Sequence, residues 1–155
     1  MKYIETKLDE LWAFIVKAKG RCLFCGSTYN LQPHHVFRGR WKSVWFFRWM
    51  PIFGVCLCDN CHNHSPFSPH NNKDPKAFWL KLEETLIRTD PEKMKFINLY
   101  RTNKCEVPER PALDTIRKDL QQQVQNINET GYMDNYVDEI YKGRDAQNRP
   151  IWGRL

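Results

Sequence analysis

Apolar residues recur at helical spacing at the start of the chain, where Ile4, Leu8, Leu11 and Ile15 follow one another at intervals of three and four and Trp12 stands four after Leu8. Residues 4–18 therefore read as an amphipathic helix whose apolar stripe needs a partner surface. Lys17 and Lys19 fall in or just past its last turn, and Gly20 can end it. The period then breaks. A turn at Ser27-Thr28-Tyr29-Asn30 leads to Leu31 and Gln32, and Pro33 biases Gln32 to extended backbone, so a short strand delivers His34 and His35 at its end. Met50-Pro51-Ile52-Phe53-Gly54 reads as a turn towards Cys58.

Helical patterning returns after the loop Asn71-Asn72-Lys73. Asp74 can cap a helix with Pro75 at its first position, running through Phe78, Trp79, Leu82, Leu86 and Ile87. A second start at Asp90-Pro91 leads to Met94, Ile97, Leu99 and Tyr100, which predicts a helical hairpin. Cys105 to Pro111 is a proline-bearing linker, and Leu113 to about Asn128 predicts another helix with glutamine-rich polar faces. Asn135 to Lys142 predicts one more short helix, and the tail Arg144 to Leu155 is expected to be mobile. No internal repeat is visible.

Charge sharpens this picture. The 155 residues carry a formal charge of +6 and a pI near 9.0, which suits a polyanionic partner. From Leu11 through Cys58 there is no Asp or Glu, while Lys17, Lys19, Arg21, Arg38, Arg40, Lys42 and Arg48 all fall there. Between Val36 and Trp49 these cations alternate with Phe37, Trp41, Trp45, Phe46, Phe47 and Trp49. Guanidinium forks suit phosphate oxygens, so Arg38, Arg40, Lys42 and Arg48 are expected to contact DNA; the aromatic rings can stack on unpaired bases or build a core. No apolar run is long enough for a membrane span, and Glu5, Asp9 and Glu10 stand where a secretion signal would be basic. A cytoplasmic location follows as an expectation, and there cysteines serve as metal ligands rather than disulfides.

The cysteines are spaced for that purpose. Cys22-Leu23-Phe24-Cys25-Gly26 and Cys58-Asp59-Asn60-Cys61-His62 are two Cys-x-x-Cys turns, separated as two knuckles converging on one tetrahedral structural zinc would be. One pair alone would fit a redox motif equally well; two pairs without a βαβ pattern favour metal. Cys56 and Cys105 are left as buried thiols, although Cys56 competes with Cys58 on position alone. Between the pairs stands His34-His35, and His62 follows the last cysteine directly.

The order Cys22-x-x-Cys25, His34-His35, Cys58-x-x-Cys61-His62 resembles the HNH endonucleases, also called His-Me finger or ββα-metal nucleases, in their zinc-stabilised four-cysteine subset. The likeness covers roughly residues 21–80, and the run His34-His35-Val36-Phe37-Arg38-Gly39-Arg40 looks like phage-encoded members. It implies an α+β fold, a small zinc-stabilised ββα-metal core with additional N- and C-terminal α-helices. Residues 1–20 would pack as a helix on the core, 21–88 form the nuclease core with its zinc knuckles, and 89–155 a helical extension that could also support a homodimer. The resemblance further implies His35 as general base, His34 and His62 as ligands of a catalytic divalent metal (Mg²⁺, or Mn²⁺, Ni²⁺ or Zn²⁺), and His70 or His64 as a further ligand. DNA would be the substrate, in a bacterial host cell if the chain is phage-encoded. One departure stands out: the family's middle Asn, which orients the base, is replaced here by Phe53. On that reasoning Phe53→Asn is expected to raise the rate. The competing expectations are a zinc ribbon that binds nucleic acid without cutting it and an adaptor that uses the Trp-rich segment.

Overall fold

A computed structural model of the chain describes residues 2–102 and 105–130, without the side chains of Arg40 and Lys42. The helix expected at Asn135 to Lys142 and the tail from Arg144 lie outside the described residues. The fold is mixed: helices surround one small antiparallel sheet of two strands, the only sheet among the described residues. In chain order the elements are α1 (Lys2–Lys17), β1 (Leu31–His35), α2 (Trp45–Trp49), β2 (Gly54–Cys58), α3 (Pro75–Thr89), α4 (Pro91–Arg101) and α5 (Leu113–Thr130). Short 3₁₀ turns at Gly39–Ser43 and Pro51–Phe53 flank α2, and a single π-helical turn, Asn60–His64, follows β2.

The helix starts follow their side chains. The Asp74 carboxylate accepts from the Lys76 amide at 3.2 Å, and that of Asp90 from the Lys93 amide at 3.1 Å, each just ahead of a proline in the first turn. The two helices they begin, α3 and α4, pack together as the predicted hairpin. By contrast, the turn Asn60–His64 is halted where the amide of Ser65 returns to the Asn60 carbonyl at 2.8 Å and Pro66 follows.

The sheet is held by the register Leu31↔Cys58, Gln32↔Leu57, Pro33↔Cys56, His34↔Val55 and His35↔Gly54. Helix α1 packs on both strands and on α5. Its buried residues are Leu8, Trp12, Ile15 and Val16, and Ile116, Leu120 and Ile127 are the buried apolar residues of α5. The apolar stripe of α5 is thus occupied within the chain. No helix among the described residues is long and apolar enough to cross a membrane.

Most of the aromatic segment is core. Phe46, Phe47 and Phe53 are almost fully buried and pack against one another and against Phe96 and Tyr100 of α4, with centroids 5.1 to 5.9 Å apart. Edge-to-face contacts of this kind favour their arrangement beyond the area they bury. Trp45 and Trp49 are buried as well, whereas Trp41 remains half-exposed.

Gly54 sets how closely α1 can approach. A Cβ there would stand 2.3 Å from Val16 Cγ2 and 2.8 Å from Trp12 Cζ2, well inside contact distance. The Gly54 carbonyl also accepts a 2.7 Å hydrogen bond from the Lys93 ammonium, and burial of that ammonium lowers its pKa to about 8. Gly54→Ala should therefore destabilise the chain by ~1–3 kcal/mol through overpacking. Adding Val16→Ala should recover part of the loss in denaturant midpoint; a Gly54→Ala protein as stable as the parent would show that α1 sits further away.

Candidate functional site

Two clusters of metal-ligating side chains are assembled from the hairpin and its flanks: Cys22, Cys25, Cys58 and Cys61, and His34, His62 and His70. In each, the ligand atoms lie within 4.8 Å of one another.

The cysteine cluster is built by the two knuckles. In the first, the Gly26 amide returns to the Cys22 carbonyl at 2.9 Å and Gly26 takes a φ of +75°, a turn that a side chain would strain. The Cys22 amide donates to the Ser27 carbonyl at 2.8 Å. Cys25 Sγ and Cys58 Sγ are 3.6 Å apart, close to the ~3.8 Å edge of a tetrahedron built from Zn–S bonds of ~2.3 Å. Burial opposes ionisation of Cys22, but backbone amides of Cys58, Cys25 and Phe24 outweigh it and bring the thiol down to about 7. Burial and the neighbouring sulfurs push Cys61 up. One thiol is thus ready to ionise while those of Cys25 and Cys61 resist, and a divalent cation would remove that opposition. The four cysteines fit a metal such as zinc. Cys56 stays outside the cluster, and burial raises its thiol to about 11.

The histidine cluster follows from strand periodicity. Gln32 and His34, two apart on β1, project to the same face, and both meet His62 on the turn after β2. His34 Nδ1 and His70 Nε2 each lie 3.0 Å from His62 Nε2. His62 Nδ1 donates to Gln32 Oε1, which leaves Nε2 as the lone-pair nitrogen. One lone pair is therefore approached by two other ring nitrogens. His34 is 5 % exposed, and its Nε2 has no hydrogen-bond partner. Three nitrogens at this separation, one of them an acceptor only and another from a ring with an orphaned buried atom, are what a cation with Zn–N-like bonds of ~2.0–2.1 Å would organise. The residues present fit a divalent ion of borderline softness, and the Gln32 amide holds one ligand in place from behind.

Gln32 is itself anchored, its Nε2 donating to Asp59 Oδ1 at 3.2 Å. Asp59 also accepts from Asn63 at 2.8 Å and from His64 Nε2 at 3.2 Å. His64 thus sits outside the histidine cluster, tied to this carboxylate, while His70 is inside it. Gln32 belongs to no metal-binding motif; its position two residues before His34 in a strand is the signal that could have marked it. His70 is carried in by a bend in which Ser68 Oγ donates to the His62 carbonyl and accepts from the His70 amide.

His35 points to the opposite face. Its ring stacks on Trp12 with centroids 3.8 Å apart and planes 8° from parallel, and its Nε2 donates to the Arg48 carbonyl at 3.0 Å. The tryptophan comes from α1, far away in sequence, and nothing local signals it. Phe53 is fully buried among Phe46, Phe47, Phe96 and Tyr100, so an amide at that position would stand in an aromatic core.

Of the cations expected to contact DNA, Arg38 is exposed beside the histidine cluster, with Nη1 3.4 Å from His70 Nδ1. Arg48 is not offered to solvent in that way. Its guanidinium forks onto Asp9 at 2.7 and 3.0 Å, reaches Glu5 at 3.4 Å and lies over the Trp49 ring, so its charge is spent joining α2 to α1. The side chains of Arg40 and Lys42 lie outside the described residues.

Burial, helped by the charges of His62, His70 and Arg38, lowers the His34 pKa from 6.5 to about 2, and burial lowers those of His62 and His70 as well. Below pH 6.5 the unfolded chain binds a proton at His34 that the folded chain refuses, so this group's effect is a loss of stability as pH falls. By pH 5 that loss amounts to ~2 kcal/mol. His34→Gln should flatten the fall in denaturant midpoint between pH 7.5 and 5; identical slopes in parent and variant would mean that His34 is protonated in the fold. Phe53→Asn should destabilise by ~3–5 kcal/mol, because a polar amide replaces a buried ring. A folded Phe53→Asn protein of parental stability would contradict the core placement. No family model, curated protein or solved structure matches this chain.

Proposed function

We propose that the chain is a metal-dependent DNA endonuclease that hydrolyses phosphodiester bonds in the manner of the HNH family it resembles. The observation that carries the reading is the convergence of the His34, His62 and His70 nitrogens on one side of the hairpin, next to the four-cysteine cluster whose Cys61 directly precedes His62. The order of two strands followed by a helical turn bearing His62 agrees with a ββα-metal core. Zinc at the cysteines would hold the two knuckles, and so the hairpin, in register.

A divalent ion at the histidines would offset the charge that builds on the phosphate and on the leaving 3′ oxygen. The remaining chemistry belongs to the chain. His34 and His62 bind through neutral nitrogens, and burial keeps them neutral. Gln32 fixes the His62 tautomer. Arg38, at the edge of the cluster, can take a non-bridging phosphate oxygen. His35 is the candidate base: its proton is held on Nε2 by the Arg48 carbonyl, which makes Nδ1 the basic nitrogen, and the Trp12 face fixes the ring plane. The orienting role that the family gives to an Asn would here fall to a backbone carbonyl. An all-imidazole ligand set favours Mn²⁺, Ni²⁺ or Zn²⁺ over Mg²⁺.

One observation favours a second reading, a zinc-supported module that binds nucleic acid without cutting it: the His35 ring packs on Trp12 and is not part of the histidine cluster. Supercoiled plasmid incubated with the protein across a divalent-metal series separates the two. The nuclease should nick only with metal, and His62→Ala should need more metal to reach the same rate. His35→Ala should cut ~10²–10⁴-fold more slowly with metal content and fold unchanged. Parental rates from His35→Ala would remove that residue as base, and DNA binding without nicking under every metal would favour the second reading.

A further inference from the structure

Next to the histidine cluster lies an open pocket of about 320 Å³, whose lining includes Phe37, Arg38, Trp41, Phe47, Trp79 and Arg101. Its floor is rigid, because Phe37 and Phe47 are buried and stand 4.6 Å apart. The two half-exposed indoles rise from that floor. Trp41 meets Phe47 edge-on at 5.4 Å, and Trp79 meets Phe37 edge-on at 5.9 Å. Arg101 lays its guanidinium 4.4 Å from the Trp79 ring centre, and Arg38 lines the pocket while also reaching His70 at 3.4 Å. Pocket and histidine cluster thus share Arg38, and a ligand filling both would pass beside it.

We infer that this pocket receives one unpaired nucleobase of a DNA strand whose neighbouring phosphate lies at the histidine cluster. The inference rests on the nuclease reading above and names its substrate class: DNA with unpaired bases at the cleavage site, such as single strands, gaps and branches. The chemistry of the lining selects the occupant. Indole and guanidinium faces reward a flat π-system, each stacked base adding enough to change affinity several-fold or more. Two guanidiniums at the rim reward a polyanion, which an aliphatic or lipid occupant would satisfy only in part. The volume is at the small end of the ~300–1,000 Å³ typical of ligand pockets, suited to one base and closed to a duplex. A base still paired within a helix would have to leave its stack to enter, and that cost discriminates against intact duplex. Stacking accepts every base, so little sequence preference is expected.

The test uses the full chain with no divalent ion added and an oligodeoxynucleotide carrying 2-aminopurine, whose fluorescence falls when it stacks on an aromatic ring. The single strand should bind with quenching, and the same sequence in duplex should bind at least about tenfold more weakly and stay unquenched. Trp41→Leu and the exposed-site variant Arg101→Ala should each weaken single-strand binding ~5–100-fold and relieve the quenching, with far-UV circular dichroism unchanged. Arg101→Ala keeps the test decisive if Trp41→Leu fails to fold. Equal affinity for the two DNA forms, bound single strand without quenching, or parental binding by Arg101→Ala would overturn the pocket. Plasmid nicking, measured separately, divides the two ideas. Quenching without nicking under any metal upholds the pocket and removes the nuclease, whereas nicking by a protein that never quenches the probe removes the pocket alone.

Discussion

The five-pair register between β1 and β2 is the constraint on which the site depends. Pairing Leu31 with Cys58 brings the second knuckle beside the first, and pairing His35 with Gly54 ends the hairpin where α1 can come close. Alternation along β1 then sorts the polar residues: Gln32 and His34 turn to His62, and His35 turns to Trp12. A slip of one residue would exchange these faces, sending His35 to the cluster and His34 into α1. Two strands alone are marginal in water, so the register has to be enforced from outside. A metal at the four cysteines would clamp one end, and α1 with its close approach at Gly54 covers the other.

A second layer of the design is electrostatic. The histidine cluster keeps its imidazoles neutral by burial, the form in which they donate lone pairs. The same burial makes the cluster a liability without a ligand, since His62 Nε2 faces two ring nitrogens and His34 Nε2 has no hydrogen-bond partner. A cation would turn that frustration into bonding. Gln32 and Asp59 extend the arrangement outward as a chain of side-chain hydrogen bonds that no apolar pair could replace, because the Gln32 amide accepts from His62 while donating to the Asp59 carboxylate.

How much was legible in the sequence depended on the range of the interaction that decided it. The helix starts at Asp74-Pro75 and Asp90-Pro91, the amphipathic stripe of α1 and the two Cys-x-x-Cys turns are local patterns, and the structure carries each of them. After β2 the chain makes only a single π-helical turn, closed by the Ser65 amide on the Asn60 carbonyl and not continued past Pro66. Phe53 illustrates the opposite limit. The family resemblance suggested a lost polar group near His35, yet the environment of Phe53 is set by Phe46 and Phe47 of the neighbouring α2 and by Phe96 and Tyr100 of the distant α4. The partner of His35 likewise comes from α1 and from a backbone carbonyl, neither of which leaves a mark in the residues around it. Gln32 lay between these limits, since strand period two was enough to place it beside His34.

The acid-free run from Leu11 to Cys58 shows why local charge density is a poor map of the surface. Arg48 belongs to that run, but Asp9 and Glu5, which lie just ahead of it in sequence, fold back and neutralise it. Its charge becomes structural: the fork fixes α2 against α1, and the same residue's carbonyl then holds His35. Among the described side chains, Arg38, which lies inside the run, and Arg101, at the end of α4 and more than forty residues beyond it, are the cations that line the pocket beside the histidines. The two cations line one pocket because the aromatic core of α2 packs on α4, with Phe46 against Tyr100 at 5.1 Å. The packing that buries the aromatic segment therefore also sets which guanidiniums line the pocket beside the histidines.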